Sequence, residues 1–417
     1  MEQSQNNGHT AEELVASAQP LDLRRDQETI QSDDYAVAYG EELSRTLNLD
    51  TWHTGVELLE LYERLEAEVQ KAIQQEDETK DYIRQEIFPK LRDRRGAPRD
   101  AGVYQTATNE VERTHRGYLF NGVVEACDGN SIPHDTLPLT IVQIGVCLVS
   151  YQGGQGSWVH RLFRRDLRVS GGDPVENMLD LLDRRQHRTG YSQESHRDRL
   201  TSLGRRGIMA YAERAVLLKR SSSPWRMGHG NPAPYEILTG SGMAELADRG
   251  LEMLEELILQ HERFVFVPSA ASNRVLLTIG NALRPLEYAI VDTLEDYLNR
   301  IADGHYRGSP SWRRVGKRVQ EFANEAGPKL VVGMYRASPI APAQVFYAHI
   351  DHVHEAAHIA IADSTLQEHR GFPMLVTLAD TVCTAIFGTE SLVPHIQVAY
   401  TDAGAPLRYQ TERQTRR

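Results

Sequence analysis

The sequence predicts an α/β protein in which helices flank a mixed sheet. Three consecutive strand-like segments carry this prediction, and they cover residues 117–130, 137–151 and 157–169. A glycine-rich turn at residues 152–156 joins the last two segments as a hairpin. Helical and strand-like segments then alternate toward the C-terminus, as expected of a sheet covered by helices.

Length and composition indicate a soluble globular protein. The chain has 417 residues, of which 40% are hydrophobic and 25% charged, enough for two or three domains or one large domain with insertions. Its three cysteines lie in apolar runs, which favours a reducing cytoplasm. No apolar stretch approaches the roughly 20 residues that span a bilayer. The polar, acidic N-terminus is not a secretory signal, so we expect a cytoplasmic protein without membrane contact.

The charge distribution permits nucleic-acid binding without requiring it. The formal net charge is −12, whereas a protein built around a basic groove would carry the opposite sign. The basic residues nevertheless cluster, and one such group consists of Arg161, Arg164, Arg165 and Arg168. Local basic patches can bind phosphate backbones even on an acidic protein, although solvated surface is the commoner role.

The N-terminal quarter differs from the rest of the chain. Residues 1–40 are polar with little periodicity, which predicts a disordered or loosely attached segment. Residues 41–100 are helical in pattern, with apolar residues recurring mostly every three or four positions between Val56 and Ile73. This stripe predicts a long amphipathic helix or helical hairpin that packs on its own domain, forms a homodimer or docks a partner. Residues 101–417 form the main domain.

The main domain continues after its third strand in a recognisable order. A polar, Arg-rich insertion covers residues 170–198, and the segment at 221–234 is too rich in Gly and Pro for regular structure. We predict helices at residues 199–220, 241–260, 282–301 and 373–387. Further strands are predicted at residues 263–268, 328–335 and 345–353.

The first strand of the main domain ends in a carboxylate. The apolar run climbs to Asp128 and stops at Gly129-Asn130, a dipeptide suited to positive φ. This pattern places Asp128 at the C-terminal end of a buried strand. The alternative is that Asp128 only opens a turn, which is a common role for Asp-Gly.

The predicted order of three strands, helix, strand, helix, strand and final helix is that of the ribonuclease H fold with insertions. That fold places acidic residues on the first strand, on the helix before the fourth strand and on the last helix. Its chemistry needs them because shared carboxylates hold two divalent metal ions, roughly 3.5–4 Å apart, around the scissile phosphate. Asp128 and Asp380 fit the first and last positions. Three residues compete for the helix position, namely Glu213, Glu236 and Glu245.

Three short motifs of this chain resemble the NurA family of nucleases. Residues 125–130, Glu-Ala-Cys-Asp-Gly-Asn, are similar to the family's first-strand Asp-Gly-Ser motif, with Asn in place of Ser. Residues 345–347, Val-Phe-Tyr, lie where the family has an aromatic-rich strand after the fifth. Residues 371–375 and the following Ala379-Asp380 resemble the family's closing Tyr-Pro…Leu…Ala-His helix.

The resemblance implies a ribonuclease H-like core and a DNA nuclease that depends on Mn²⁺ or Mg²⁺. It implies catalytic, metal-binding carboxylates, which we assign to Asp128, Glu236 and Asp380. NurA nucleases work with the hexameric HerA translocase, so the implied partners are DNA and a HerA-like ATPase. The implied role is DNA end processing, repair or anti-phage defence. This chain has no Walker-type phosphate loop, so any ATP-driven motion would come from such a partner.

Two positions depart from the family pattern. The family has a second Asp-Gly at the end of the fourth strand, whereas this chain has Val-Pro-Ser at residues 267–269, and the closing His is Asp380 here. Either another carboxylate substitutes, or the chain is a catalytically inactive partner subunit. We choose Glu236 as the helix acid because it follows a Gly/Pro loop and opens the helix before the fourth strand. Glu213, on a helical face, is interpreted as an exposed surface charge.

A competing motif predicts a zinc hydrolase. His354-Glu355-Ala356-Ala357-His358 fits His-Glu-x-x-His, in which two imidazoles four residues apart on a helix bind Zn²⁺ and the Glu acts as general base. The third ligand would be Asp363, Glu368 or Asp380. Against this alternative, residues 345–353 favour strand over helix, and residues 359–362 alternate as a strand would.

Overall fold

The structure is a computed structural model that describes residues 32–53, 55, 58–136, 139–165, 173, 175–176, 178–179, 203–269, 273–304, 306 and 309–406. Within these ranges nine strands form one sheet: β1 Gly102–Gln105, β2 Val124–Asp135, β3 Thr140–Ser150, β4 Gly153–Arg164, β5 Trp225–His229, β6 Phe264–Val267, β7 Glu287–Thr293, β8 Leu330–Arg336 and β9 Gln344–His349. Their order across the sheet is β1-β7-β8-β9-β6-β5-β2-β3-β4. Nearly all of the predicted insertion at residues 170–198 lies outside the described residues.

The fold class predicted from the sequence is confirmed. Strands β2, β5 and β6 are parallel neighbours, while β3 pairs antiparallel with both β2 and β4. The order β4-β3-β2-β5-β6 is therefore the ribonuclease H order. Beyond β6, the antiparallel strands β9, β8, β7 and β1 extend the same sheet.

Helices cover both faces of this mixed sheet. Those described are α1 Ser32–Tyr39, α2 Leu43–Thr46, α3 Leu58–Glu86, α4 Thr108–Thr114, α5 Met209–Lys219, α6 Tyr235–Leu238, α7 Ala244–Glu255, α8 Arg274–Asn281, α9 Glu295–Gly304, α10 Pro310–Ala326, α11 Val353–Thr365, α12 Met374–Phe387 and α13 Thr389–Asp402. Leu217 of α5, Leu254 of α7 and Val319 of α10 pack in the core on one face. Ala360 of α11 and Leu375 of α12 pack in the core on the other face. Both faces are buried, so the central strands read as continuous apolar runs.

Three strands were missed or misassigned at the sequence level. The segment predicted to be irregular, residues 221–234, contains β5, and the predicted helix at 282–301 contains β7. No strand was predicted at β1. Conversely, residues 359–362 belong to α11, so the strand interpretation there was wrong. Short buried strands lack the alternation that would separate them from helix, which explains these errors.

Strand β2 continues well past the point where its parallel partner ends. Its last residue paired with β5 is Cys127, and eight further residues, 128–135, pair only with β3. Together with β3 and β4 they form a three-stranded arm beyond the central sheet. Helix α12 packs against β2 and β3, and His134 of the arm meets Tyr400 of α13 edge to face at 6.0 Å.

The stretch Met374–Asp402 is long and apolar enough, by length and composition, to cross a membrane. It is therefore an exception to the prediction that no segment of the chain could do so. The stretch is divided at Gly388, whose extended backbone (φ −72°, ψ −178°) separates α12 from α13. Core helices of soluble proteins pass the same test, and α12 contributes Leu375, Val376 and Ala379 to the core.

The predicted long amphipathic helix is confirmed as α3, which spans 29 residues. Its C-terminal end is fastened to the sheet by Arg84, which donates to both carboxylate oxygens of Glu287 at 2.6 and 2.9 Å. Its N-terminal half presents an exposed apolar stripe made of Tyr62, Leu65, Val69 and Ile73. The division of the chain into domains stays a prediction.

Candidate active site

Asp128 lies where β2 leaves its parallel partner and enters the arm. It pairs with Cys147 on β3, and only 7% of the residue is exposed. Its Oδ1 accepts a hydrogen bond from the backbone N–H of Gly129 at 2.9 Å. Burial raises the pKa of Asp128 to about 7; the charge of Asp380 also raises it, while Gly129 N–H and Arg214 oppose the shift. Asp128 is therefore a desolvated acid. The prediction that the strand ends at Asp128 and turns at Gly129-Asn130 was wrong, because β2 continues to Asp135 and neither residue has a positive φ.

Glu213 of α5 comes against the same stretch of β2. A Cβ atom added at Gly129 would lie 2.6 Å from Glu213 Oε1, so glycine is what allows the carboxylate this close to the strand. Glu213 Oε2 accepts from Arg214 Nη1 at 3.0 Å. Burial raises the pKa of Glu213 to about 7; Arg214 and His229 oppose the shift, and Asp128 adds to it. Two carboxyl groups are thus held together out of water.

Arg214 is the buried cation of the cluster. Besides Glu213, its guanidinium donates to four backbone carbonyls, those of Ala210 (3.1 Å), Pro232 (3.1 Å), Asn231 (2.5 Å) and His229 (3.4 Å). Only 3% of the residue is exposed. Arg214 therefore fastens the loop after β5 to α5 and orients the Glu213 carboxylate.

His229 ends β5 and joins the cluster from that strand. Its Nδ1 lies 3.8 Å from Asp128 Oδ1, and its ring meets Phe372 edge to face at 6.2 Å. Burial lowers the pKa of His229, although the charges of Glu213 and Asp380 oppose that shift. The imidazole is accordingly neutral near pH 7 and can accept a proton or donate a hydrogen bond.

Asp380 reaches the cluster from α12, where its side chain is exposed. Its Oδ1 accepts from Thr384 Oγ1 at 3.4 Å, and Thr384 in turn accepts from Asn130 Nδ2 at 3.3 Å. This chain of contacts ties α12 to the strand that carries Asp128.

The start of α12 is held by another buried acid. Asp363 of α11 accepts from the backbone N–H of Leu375 at 2.8 Å and from the hydroxyl of Tyr151. Burial raises the pKa of Asp363 to about 6, against the effect of these two donors. Its oxygens are therefore occupied in positioning α12, which places Asp380 over the sheet.

The structure brings together two of the three predicted site residues. Asp128 and Asp380 interact electrostatically, and the third acid beside them is Glu213. Glu236 is half-buried on α6, and within the described ranges its carboxylate has no hydrogen bond or ion pair with any member of the cluster. Glu245 is exposed on α7. The interpretation of Glu213 as a surface charge was wrong, because the missing side chain at Gly129 makes room for it.

Sequence reasoning also missed His229, because β5 was taken for irregular structure. The strand at residues 263–268 was counted as the fourth, whereas it is the fifth in the ribonuclease H order. The true fourth strand, β5, ends at His229-Gly230, in the place where the resemblance implies Asp-Gly. Since Asp380 stands where the resemblance implies His, the two residue types occupy each other's places. A polar residue followed by Gly, as at Asp128-Gly129, is present here too, but Arg226 and Gly228 interrupt the apolar run before it.

The donor chemistry of this cluster suits a hard divalent cation. In the described parts of the chain no three His, Cys, Asp or Glu side chains are already arranged as a metal centre. The carboxylates of Asp128, Glu213 and Asp380 are the oxygen donors that Mg²⁺ and Mn²⁺ prefer. Burial raises the pKa values of Asp128 and Glu213, and the charges of Asp380 and Asp128, respectively, add to these shifts, so a cation would relieve an existing electrostatic cost.

The His-Glu-x-x-His motif lies on α11 and is used in packing. His354 Nδ1 is hydrogen-bonded to the hydroxyl of Tyr288 at 2.7 Å, and the ring of His358 meets the Tyr288 ring edge to face at 5.7 Å. Glu355 is exposed and lies 3.4 Å from His352. Asp363, one of the proposed third ligands, has its oxygens occupied elsewhere. Both imidazoles therefore contact Tyr288, His354 by a hydrogen bond and His358 by ring packing.

Comparisons with solved structures find NurA nucleases, the family that the sequence motifs resemble. "Crystal structure of the NurA nuclease from Sulfolobus solfataricus" is 8% identical with a TM-score of 0.40, over 84% of this chain and 99% of that one. "Crystal structure of NurA with manganese" is 8% identical with a TM-score of 0.34, over 72% and 96%. No protein-family model matches the chain, and the comparison with curated proteins finds no match.

Proposed function

We propose that this protein is a divalent-metal-dependent nuclease that hydrolyses phosphodiester bonds of DNA. The observation that carries the proposal is the meeting of Asp128, Glu213 and Asp380, from a strand and from helices on both faces of the sheet. Burying like charges together is costly for folding, and such arrangements are concentrated at functional sites. The exposed Asp380 leaves the cluster open to a large polymeric substrate.

Mn²⁺ or Mg²⁺ is the proposed cofactor, held by the carboxylates of Asp128, Glu213 and Asp380. When bound, the metal would supply Lewis acidity for activating water and for stabilising the leaving oxygen. The protein's own residues prepare the rest of the site. Arg214 fixes the Glu213 carboxylate, Gly129 allows its close approach, and neutral His229 offers a proton acceptor beside Asp128.

The test is cleavage of labelled single- and double-stranded DNA by the full-length protein with Mn²⁺ or Mg²⁺. We expect Asp128→Asn and Glu213→Gln to lose cleavage and Glu236→Gln to retain it. This matched pair of glutamate variants decides which acid belongs to the site. Metal-dependent cleavage that persists in Asp128→Asn would overturn the proposal, and loss of cleavage in Glu236→Gln alone would restore the original assignment.

We further propose a homodimer that works with a HerA-like hexameric ATPase in DNA end processing, repair or anti-phage defence in the cytoplasm. The support is the exposed stripe of Tyr62, Leu65, Val69 and Ile73 on α3, a face that an isolated subunit leaves in water. Replacing Leu65 and Val69 by Lys should lower the mass found by light scattering or abolish co-purification with the ATPase. A wild type that is monomeric and does not co-purify with the ATPase would contradict the proposed assembly.

A further inference from the structure

The edge strand β4 exposes one face of the arm. Val159, Arg161 and Phe163 alternate along it, and Val159 and Phe163 are 47% and 57% exposed. They pair with the β3 residues Gly145, Gln143 and Ile141, so they point to the face that α12 covers over β2 and β3. That helix does not extend over β4, and the three side chains form an open surface beside it.

Arg161 is held in a fixed orientation on this surface. Its Nε donates to Gln143 Oε1 at 2.7 Å, and Gln143 Nε2 donates to the carbonyl of Phe387, the last residue of α12, at 2.9 Å. Gln143 is only 2% exposed. Within the described chain the two terminal nitrogens of Arg161 have no partner. They present a preorganised fork of the kind that binds phosphate oxygens.

Apolar side chains flank this fork on both sides. Val159 and Phe163 are each two residues from Arg161, about 6.7 Å away along the strand. A half-exposed aromatic ring beside a fixed arginine is the combination with which single-stranded nucleic acids are bound, since bases stack on the ring while phosphates contact the cation. Paired bases would be stacked inside a duplex and could not use the Phe163 ring in this way.

The surface lies next to the acidic cluster. Asp128 pairs with Cys147, and Cys147 pairs with Ser157 of β4, so Ser157 is two strands, or about 9.6 Å, from Asp128. Arg161 is four residues farther along, which puts its backbone roughly 16 Å from that of Asp128. Helix α12, which carries Asp380, borders the same face.

We propose that Val159, Arg161 and Phe163 form a docking surface for single-stranded DNA and guide one strand into the acidic cluster. This inference rests on the proposed nuclease function, because it supplies the substrate path for that site. A second copy of the chain is a poorer occupant, since two copies that meet on this surface about a twofold axis would bring the like charges of the central Arg161 side chains together.

Binding can be measured without cleavage by fluorescence anisotropy, using the full-length Asp128→Asn variant in EDTA and fluorescein-labelled oligothymidylate. Phe163→Ala should raise Kd about 5- to 100-fold, and Phe163→Trp should preserve binding because it keeps a stacking surface. Arg161→Gln should weaken binding and reduce the slope of log K against log salt by about 0.7, one phosphate contact. The control is Arg313→Gln, an exposed arginine on α10 against the other face of the sheet, which should change neither quantity.

Wild-type Kd and salt slope in both Phe163→Ala and Arg161→Gln would overturn the inference. So would tighter binding of a blunt hairpin duplex than of the single strand, or a dimer that Phe163→Ala converts to monomer in light scattering. Failure of the nuclease proposal looks different, because the single strand would bind through β4 but Mn²⁺ would produce no cleavage. If cleavage is lost in Asp128→Asn but unchanged in Phe163→Ala, the proposed docking surface is wrong and the nuclease proposal stands.

Discussion

The acidic cluster and the histidine pair of α11 use titratable residues in opposite ways. Asp128 and Glu213 are carboxylates whose pKa values are raised mainly by burial; the charge of Asp380 adds to the shift of Asp128, and the charge of Asp128 adds to that of Glu213. His354 and His358 pack around the ring of Tyr288, and His354 Nδ1 is hydrogen-bonded to the hydroxyl of that tyrosine. The acidic cluster lowers the stability of the folded state, whereas the packing of the histidine pair raises it.

This difference reverses the ranking that the motifs suggest. His-Glu-x-x-His is the sharper pattern in the sequence, while Asp-Gly is among the commonest turn dipeptides. A pattern records only residue types at fixed spacing, and it cannot say whether a side chain finds a partner in the core. Electrostatic repulsion between buried carboxylates is the better indicator of a functional site, because it destabilises the fold and has no use in packing.

The largest expected effect separates the two regions directly. Asp128→Asn and Glu213→Gln should each reduce DNA cleavage by at least about 10³-fold, because even outer partners of metal ligands are worth 10–100-fold. His354→Asn and His358→Asn should retain cleavage within a few-fold. Single-turnover rates on labelled DNA measure both sets under the same conditions. The reverse pattern, with the histidine variants inactive, would move the site to α11.

Removing the positive charge of Arg214 from the acidic cluster should have the next largest effect, in this case on the free energy of unfolding. Arg214→Gln leaves Glu213 without its partner and several loop carbonyls without a donor, which should cost about 3–5 kcal/mol. Urea denaturation of the purified variants measures this loss. Arg313→Gln, at an exposed position, should stay within about 0.5 kcal/mol of the wild type. Equal stability of the two variants would show that Arg214 does not hold the cluster together.

The raised pKa values predict a specific pH dependence of stability. Asp128 has a folded-state pKa of about 7 against 3.8 when unfolded, so between these pH values the folded state binds more protons. The metal-free wild type should therefore lose stability as pH rises from about 4 to 7. Asp128→Asn removes this loss and should be more stable than the wild type by about 2–4 kcal/mol at pH 8.

Urea denaturation in EDTA across this pH range measures that difference, and Asp77→Asn on exposed α3 is the control that should show none. Mn²⁺ at a hundredfold excess over its Kd should return about 2.7 kcal/mol to the wild type and less to Asp128→Asn. If the difference in stability between the wild type and Asp128→Asn does not change with pH, the pKa of Asp128 is not raised in the folded state.

The sequence predicts the frame of this protein better than its site. The three long strands of the arm and α3 could be predicted because each has enough residues to show its period. Strand β5 has five residues, including Gly228, and is buried on both sides, so no period is visible. Because β5 was not predicted, β6 was counted as the fourth strand, and His229 at the end of β5 was not considered as a site residue.

Two of the site carboxylates were accessible to sequence reasoning for a physical reason. Asp128 and Asp380 each follow an apolar run; Asp128 lies where the parallel pairing of β2 ends, and Asp380 lies on the exposed side of α12. Glu213 could not be chosen over Glu236, because the choice depends on a space that exists only when Gly129 of another element is packed against α5. Contacts between distant elements leave no local pattern.

The smallest expected effect tests the other half of the comparison, the packing role of the histidine pair. Tyr288→Phe removes only the hydroxyl bonded to His354, which should cost about 0.5–1.5 kcal/mol in urea denaturation and leave cleavage unchanged. Zn²⁺ should raise the melting temperature of the wild type no more than that of His358→Ala, because both imidazoles contact Tyr288 and, among the described residues, no third His, Cys, Asp or Glu completes a metal site with them. If instead Zn²⁺ stabilises the wild type, and the effect is lost in His358→Ala but kept in Asp128→Asn, the histidines form a metal site. That result would make α11 the second functional region of the molecule.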